Sequence, residues 1–273
     1  MPEESNNVIA VSEASYLRPL WYGLSNHEGD PDVRVDIPAQ LPVLLQQRTG
    51  NLRCAFLSPI DYARHGGDYC IIPGIAVSSV DRSNTIQLFI NPVQDIETIA
   101  VDIRVTSEVI LAKIILAEKY PNRESSKKSP QFLPMMPNRD EMLRKADAAL
   151  IVNLHPVERA EEQPFALDLV EEWYDMTGLP YVHGCWVGHD EEEMGGVAKA
   201  LLHSKDQGVA HLEYIAEMLA SERKLSRQFA SDYLSTFSYE FGVVEAESMT
   251  EFMKYAYFHG ILPDVPDPSF FEV

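Results

Sequence analysis

The sequence predicts an α/β chain of two lobes, with a ligand cleft between them and a helical C-terminal region. Three observations carry that expectation. The opening third alternates short β-branched runs with helical segments, as in a parallel or mixed sheet covered by helices. Two extended stretches, Ser78 to Ile90 and Pro180 to Gly188, stand where a chain could leave one lobe and later return. From Asp190 onward helical spacing replaces strands. The expected division is a large lobe of residues 1–90 plus 188–273 and a small lobe of residues 91–187.

The elements follow in order. Val8 to Val11 is a short β-branched run ending at Ser12 and reads as a buried strand. In Ser15 to Leu24, Pro19 suits the first turn of a helix and Gly23 its end. Val33 to Ile37 alternates as a strand, and Pro38 to Gly50 reads as a helix closed by Gly50. Leu52 to Leu57 is another buried strand, after which Ser58 fits an N-cap with Pro59 at the first helical position. Tyr69 to Ile72, Ala76 to Val80, Thr85 to Ile90 and Ile99 to Asp102 are further strands, the last leading into a helix from Glu108 to about Tyr120. Pro121 to Pro130 reads as a polar loop, Gln131 to Met136 as a short strand and Ala148 to Val152 as a buried one. Leu167 to Gly178 is helical, and Tyr181 to Val187 is a strand. The acidic run Asp190 to Glu193 suits a helix N-terminus through the macrodipole. Val197–Gly208, Val209–Arg223, Ser226–Phe237 and Ser248–Gly260 then keep helical spacing.

Composition narrows the partners. The 273 residues hold 42 Asp+Glu against 22 Lys+Arg, a formal charge of −20, and 45% are hydrophobic. That apolar content is enough to bury a core. The charge argues against nucleic acid or an anionic membrane, both of which require basic surface. A small anionic ligand stays open, because a pocket can be locally positive on an acidic protein. Cys54, Cys70 and Cys185 form no metal-ligand or disulfide spacing. Met1 to Asn7 lack the cationic and apolar regions of a signal peptide, and no apolar run reaches the ~18–20 residues of a bilayer span. A cytoplasmic protein is therefore expected.

Standard catalytic motifs are absent. His155 and Glu158 stand three apart as a surface pair, and the acidic run at 190–193 is expected to face solvent. More informative are hydroxyl-bearing turns at strand ends: Ser58, Ser78 with Ser79, and Thr106 with Ser107. Each offers a hydroxyl beside free backbone N–H groups, a combination that binds carboxylate or phosphate without a large positive charge. Plain N-capping is the alternative at each site. Three of them in one two-lobed chain point to a carboxylate-binding cleft.

These residues resemble a family. Ser15-Tyr16-Leu17 is similar to the Tyr-Leu-Asn segment of the chorismate dehydratases of the futalosine route to menaquinone. Phe56 to Tyr62 resembles their Ser-Ser-x-x-Tyr turn, Ala76 to Val80 their Pro-Val-x-Ser-Val segment, and Asp102 to Ser107 their Asp-x-x-Ser-x-Thr-Ser segment. Ala146 to Ile151 matches the start of the Ala-Asp-Ala-Ala-Leu strand. Asp168 to Trp173, Thr177 to Val182 and Trp186 form the most specific stretch, and Tyr233-Leu234, Tyr239 to Gly242 and Phe252 continue it. The resemblance spans nearly the whole chain.

The resemblance implies a type II periplasmic-binding-protein-like fold and a lyase that removes water from chorismate to give 3-enolpyruvylbenzoate. Product aromaticity would drive the reaction, and the substrate's own enolpyruvyl carboxylate would serve as the base. No cofactor is implied. The expected partner is chorismate or a similar small carboxylate, and a homodimer is left open. On this reading Ser79 and Arg18 are the candidate catalytic residues, with Tyr16, Ser58, Ser78, Thr106, Ser107, Asn153 and His183 as substrate-binding candidates. Thr106 and Ser107 would grip one carboxylate at a helix N-terminus, and lobe closure would exclude water. The sequence departs from the family pattern at Arg18 (Asn in the family), at Pro59 (the second Ser), at Asn153-Leu154 (Gly-Asp) and at His183-Gly184. Arg18 brings a permanent charge and a carboxylate fork, which would strengthen anion binding while altering the chemistry. A small-carboxylate-binding protein, or an enzyme of altered specificity on the same fold, is the other reading. The acidic excess is expected to lie away from the cleft.

Overall fold

The computed structural model describes residues 7–24, 29–65, 67–91, 96–120, 130–158 and 166–272. The extreme N-terminus, His27 and residues 121–129 of the polar loop expected at Pro121 to Pro130 lie outside the described residues. In chain order the first half holds β1 (Val8–Ser12), α1 (Arg18–Trp21), β2 (Asp32–Asp36), α2 (Leu41–Gln46), β3 (Leu52–Leu57), α3 (Pro59–Ala63), β4 (Tyr69–Ser79), β5 (Ile86–Ile90), β6 (Thr98–Asp102) and α4 (Ser107–Lys119). The second half holds β7 (Gln131–Met135), α5 (Arg139–Lys145), β8 (Ala148–Val152), β9 (Ala166–Asp168), α6 (Leu169–Thr177), β10 (Tyr181–His189), α7 (Gly195–Ala210), α8 (Leu212–Arg223), α9 (Arg227–Ser235) and α10 (Val243–Phe258).

Among the described residues the strands form two sheets of the same design, in the orders β2-β1-β3-β10-β4 and β7-β6-β8-β5-β9. In the first, β1 runs parallel to β2 and β3, and β10 is antiparallel to β3 and β4. In the second, β6 runs parallel to β7 and β8, and β5 is antiparallel to β8 and β9. Each crossing strand therefore bonds into the sheet it enters. Ile86 pairs with Val152, and Cys185 pairs with Leu57. The boundaries expected at 90/91 and 187/188 are each displaced by one strand: β5 belongs with the second sheet and β10 with the first. An extended segment cannot leave its N–H and C=O groups unpaired in a buried sheet, so the crossing is complete before the strand begins.

Buried side chains fix how the crossings are held. Asp168 accepts from the Asn84 amide at 2.6 Å and from the Val170 amide at 3.0 Å, so one carboxylate caps α6 and anchors the first crossing. At the return crossing Trp173 Nε1 donates to the Pro180 carbonyl at 3.3 Å, and Ser248 Oγ donates to the same oxygen. Trp173 also packs edge-on to Phe252 of α10. Gly184 is required where β10 passes β3, because a Cβ there would stand 2.6 Å from the Leu57 carbonyl oxygen.

Two local expectations differ. A single helix from Pro38 to Gly50 becomes a short 3-10 turn at Pro38–Gln40 followed by α2, and Gly50 takes a φ of 67°. The acidic run at 190–193 precedes α7 without entering its first turn. It is held by cations: Arg53 pairs with Glu192 at 2.9 Å, and Arg48 with Glu191.

Candidate functional site

Three turns at strand ends converge on one cavity of about 40 Å³. The 3-10 turn Ser15–Leu17 after β1 contributes Tyr16, the turn after β3 contributes Ser58 and Asp61, and the N-terminus of α4 contributes Thr106, Ser107 and Glu108. His183 of β10 completes the polar wall with Ser12. The cavity thus takes groups from both sheets. Backbone hydrogen bonds join the two sides nearby: the Ala39 amide donates to the Arg104 carbonyl at 3.0 Å, and the Ser15 amide to the Leu154 carbonyl at 2.7 Å.

The end of α4 is presented by an ion pair. Arg104 donates from Nε and Nη2 to the two oxygens of buried Asp102, at 3.0 and 2.7 Å, which fixes the turn between β6 and α4. Thr106 stands at the N-cap, yet its side chain makes no capping bond. Ser107 is 2% exposed, and its Oγ finds no well-directed hydrogen bond, with the Tyr181 phenol as a polar neighbour. The first amides of a helix have no intrahelical acceptor, so this wall offers donors to an anion.

The opposite wall is neutral and aromatic. His183 is packed among Tyr16, Tyr181 and Phe237, with centroid separations of 5.1, 5.1 and 5.5 Å. Burial pulls its imidazole down to about 3, so the ring is uncharged at neutral pH. A 2.8 Å hydrogen bond joins its Nε2 to Ser79 Oγ. Desolvation, with Glu108 nearby, pushes the Tyr16 phenol up.

The acids are the surprise of the cavity. Ser58 Oγ donates to Asp61 Oδ2 at 2.6 Å and accepts from the Asp61 amide at 3.2 Å, so the expected N-cap is present and its hydroxyl is engaged. Desolvation raises the Asp61 carboxyl against the opposing effect of Ser58 and Arg64. Glu108 is raised to about 7, chiefly by desolvation, with Asp61 and Asp102 adding to it. Among the described residues no Lys or Arg lines the cavity. The acidic excess is expected away from the cleft, yet two carboxyls, Asp61 and Glu108, stand in this wall.

The structure brings Tyr16, Ser58, Thr106, Ser107 and His183 around one cavity and leaves Arg18, Ser78, Ser79 and Asn153 outside its wall. Arg18 does not line the cavity; its guanidinium pairs with Glu222 of α8. Ser78 Oγ donates to Glu245 at 3.2 Å. Asn153 Nδ2 donates to the Asn84 carbonyl at 2.8 Å and braces the first crossing. His155 bonds Ser15 Oγ at 2.9 Å, while Glu158 caps α9 through Ser226, so these two residues do not form the expected surface pair. Ser12, Asp61 and Glu108 escaped the sequence reading. Asp61 and Glu108 stand in first helical turns, where an acid reads as ordinary dipole compensation. No group of three His, Cys, Asp or Glu with metal-binding geometry occurs among the described residues.

Comparison with known proteins adds the following. A family described as menaquinone biosynthesis matches residues 8–258. Among solved structures, protein AF1704 from Archaeoglobus fulgidus is 14% identical, with 95% of this chain and 100% of that one covered and a TM-score of 0.69. The periplasmic aliphatic sulphonate binding protein SsuA from Escherichia coli is 14% identical over 97% of this chain and 96% of that one, with a TM-score of 0.60. The Candida albicans CA3427 gene product, described as having the generic periplasmic binding protein fold, is 13% identical over 96% and 92%, with a TM-score of 0.63. These likenesses establish the periplasmic-binding-protein-like fold.

Proposed function

The chain belongs to the menaquinone biosynthesis family, and from that premise we propose that it is a chorismate dehydratase-type lyase, converting chorismate to 3-enolpyruvylbenzoate and water. The observation that carries the reading is the cavity itself. Thr106, Ser107 and the amides of α4 face it from one sheet, and Tyr16 and neutral His183 face it from the other. In this reading the two sheets act as lobes. Thr106 and Ser107 take one carboxylate, the aromatic wall takes the ring, and the enolpyruvyl carboxylate removes the ring proton. Ser79 acts through His183 as a positioning residue.

The cavity of about 40 Å³ is small for a ring with two carboxylates; a cavity of ~150 Å³ is what holds benzene. Substrate entry in this reading requires the lobes to part, breaking the Ala39–Arg104 and Ser15–Leu154 bonds, and reclosure then excludes water. The protein is read as cytoplasmic; no described helix is long and apolar enough to cross a membrane. Incubation of the purified protein with chorismate tests the proposal. Appearance of 3-enolpyruvylbenzoate supports it, and a folded protein giving neither product nor thermal shift refutes it.

One observation favours a second reading. Asp61 and Glu108 stand in the wall and Arg18 is paired elsewhere, which suits a carboxylate less anionic than chorismate on the same fold. Stabilisation by such a ligand in a thermal-shift panel, without turnover of chorismate, would select it.

A further inference from the structure

Loss of water from a ring needs an acid as well as a base, and the cavity wall holds a group placed for that task. Glu108 stands on the first turn of α4, next to Ser107, whose buried hydroxyl has no well-directed partner. Asp61 faces it from α3, Asp102 lies at the end of β6, and Tyr16, Tyr181 and neutral His183 are the other titratable groups around it. Among the described residues no Lys or Arg lines the cavity to hold Glu108 as a bare carboxylate. We infer that Glu108 is the general acid of this site, donating a proton to the ring hydroxyl as that group departs. The inference rests on the dehydratase reading and deepens it by naming the proton donor.

The step balances. The ring C–H bond breaks, its proton goes to the substrate's enolpyruvyl carboxylate and its electron pair becomes the new ring double bond. The ring C–O bond breaks with its pair on oxygen, and the Glu108 proton completes a water molecule. The proton on the enolpyruvyl acid returns to Glu108 through solvent. Burial and the neighbouring acids hold the Glu108 carboxyl at about 7, within the range where a carboxylic acid both keeps and gives a proton at neutral pH. Bound substrate carboxylates would push it higher.

The test compares wild type, E108Q and D61N with chorismate across pH. Glutamine keeps the size of the side chain and removes the transferable proton. E108Q is expected to lose roughly 100- to 10,000-fold in kcat with KM nearly kept. Wild-type kcat should fall as pH rises through 7 or above, and E108Q should lose that alkaline limb. D61N removes a neighbouring negative charge, so its alkaline limb should move to lower pH while turnover continues. An E108Q kcat within threefold of wild type, an unmoved limb in D61N, or a wild-type rate that instead needs the carboxyl ionised would each overturn the inference and leave the dehydratase reading standing. A wild type that makes no 3-enolpyruvylbenzoate overturns that reading, and the inference with it.

Discussion

Acidification should unfold this protein partly through His183. The imidazole is 9% exposed, caged by Tyr16, Tyr181 and Phe237, and held down to about 3 against an ordinary 6.5. Between those values the unfolded chain binds a proton that the folded one refuses. Stability therefore rises with pH across that window and is lost as pH falls from 6.5 toward 3. The slope is at most about 1.4 kcal/mol per pH unit, or about 3 kcal/mol between pH 6 and 4. Against a total of roughly 5–15 kcal/mol for a folded domain, that is a large share. The perturbation is H183Q, which keeps a polar group opposite Ser79 and removes the titration. Urea unfolding of both proteins at several pH values between 4 and 7 measures the difference, and carboxylates common to both cancel. H183Q should start less stable at pH 7 and lose about 3 kcal/mol less on acidification. Parallel pH profiles, within about 0.5 kcal/mol throughout, would refute the claim that His183 is buried neutral.

Other substitutions separate the roles around the cavity. S107A removes a buried hydroxyl that makes no well-directed bond, so stability should hold while chorismate affinity, by calorimetry, falls about tenfold or more. S79A leaves His183 Nε2 without its partner and should cost about 1–3 kcal/mol in denaturant unfolding; in an H183Q background the cost should change, because the two side chains are coupled. R18N breaks a partly exposed pair with Glu222 and should alter stability by about 0–1 kcal/mol, leaving dehydratase turnover near wild type. A collapse of turnover in R18N would return Arg18 to the chemistry.

The strands and most helices were legible in the residues, because β-branched runs, caps and left-handed glycines act locally. Ser58 caps α3 as expected, and Gly178 ends α6 with a φ of 70°. Helix α5 was missed although Asn138 caps it by accepting from the Glu141 amide at 3.0 Å; its seven residues carry one buried apolar side chain, Met142, too few for a period to show. The site was legible in part. Tyr16, Thr106 and Ser107 lie on the cavity because the turns that hold them follow strands of the two sheets, and His183 because β10 itself runs along it. Arg18 stands away from the cavity wall: a charge in the sequence says nothing of which way a four-residue helix faces.

By itself the sequence determined most of the elements, the two stretches within which the chain crosses and the hydroxyls at strand ends, all set by neighbours a few residues apart. The tertiary structure decided which sheet each crossing strand joins and which charges enter the cleft. Glu108 and Asp61 are 47 positions apart in the chain and meet only when α4 and α3 pack together. Burial, which raises both carboxyls and lowers His183, is a property of that packing and of no local segment.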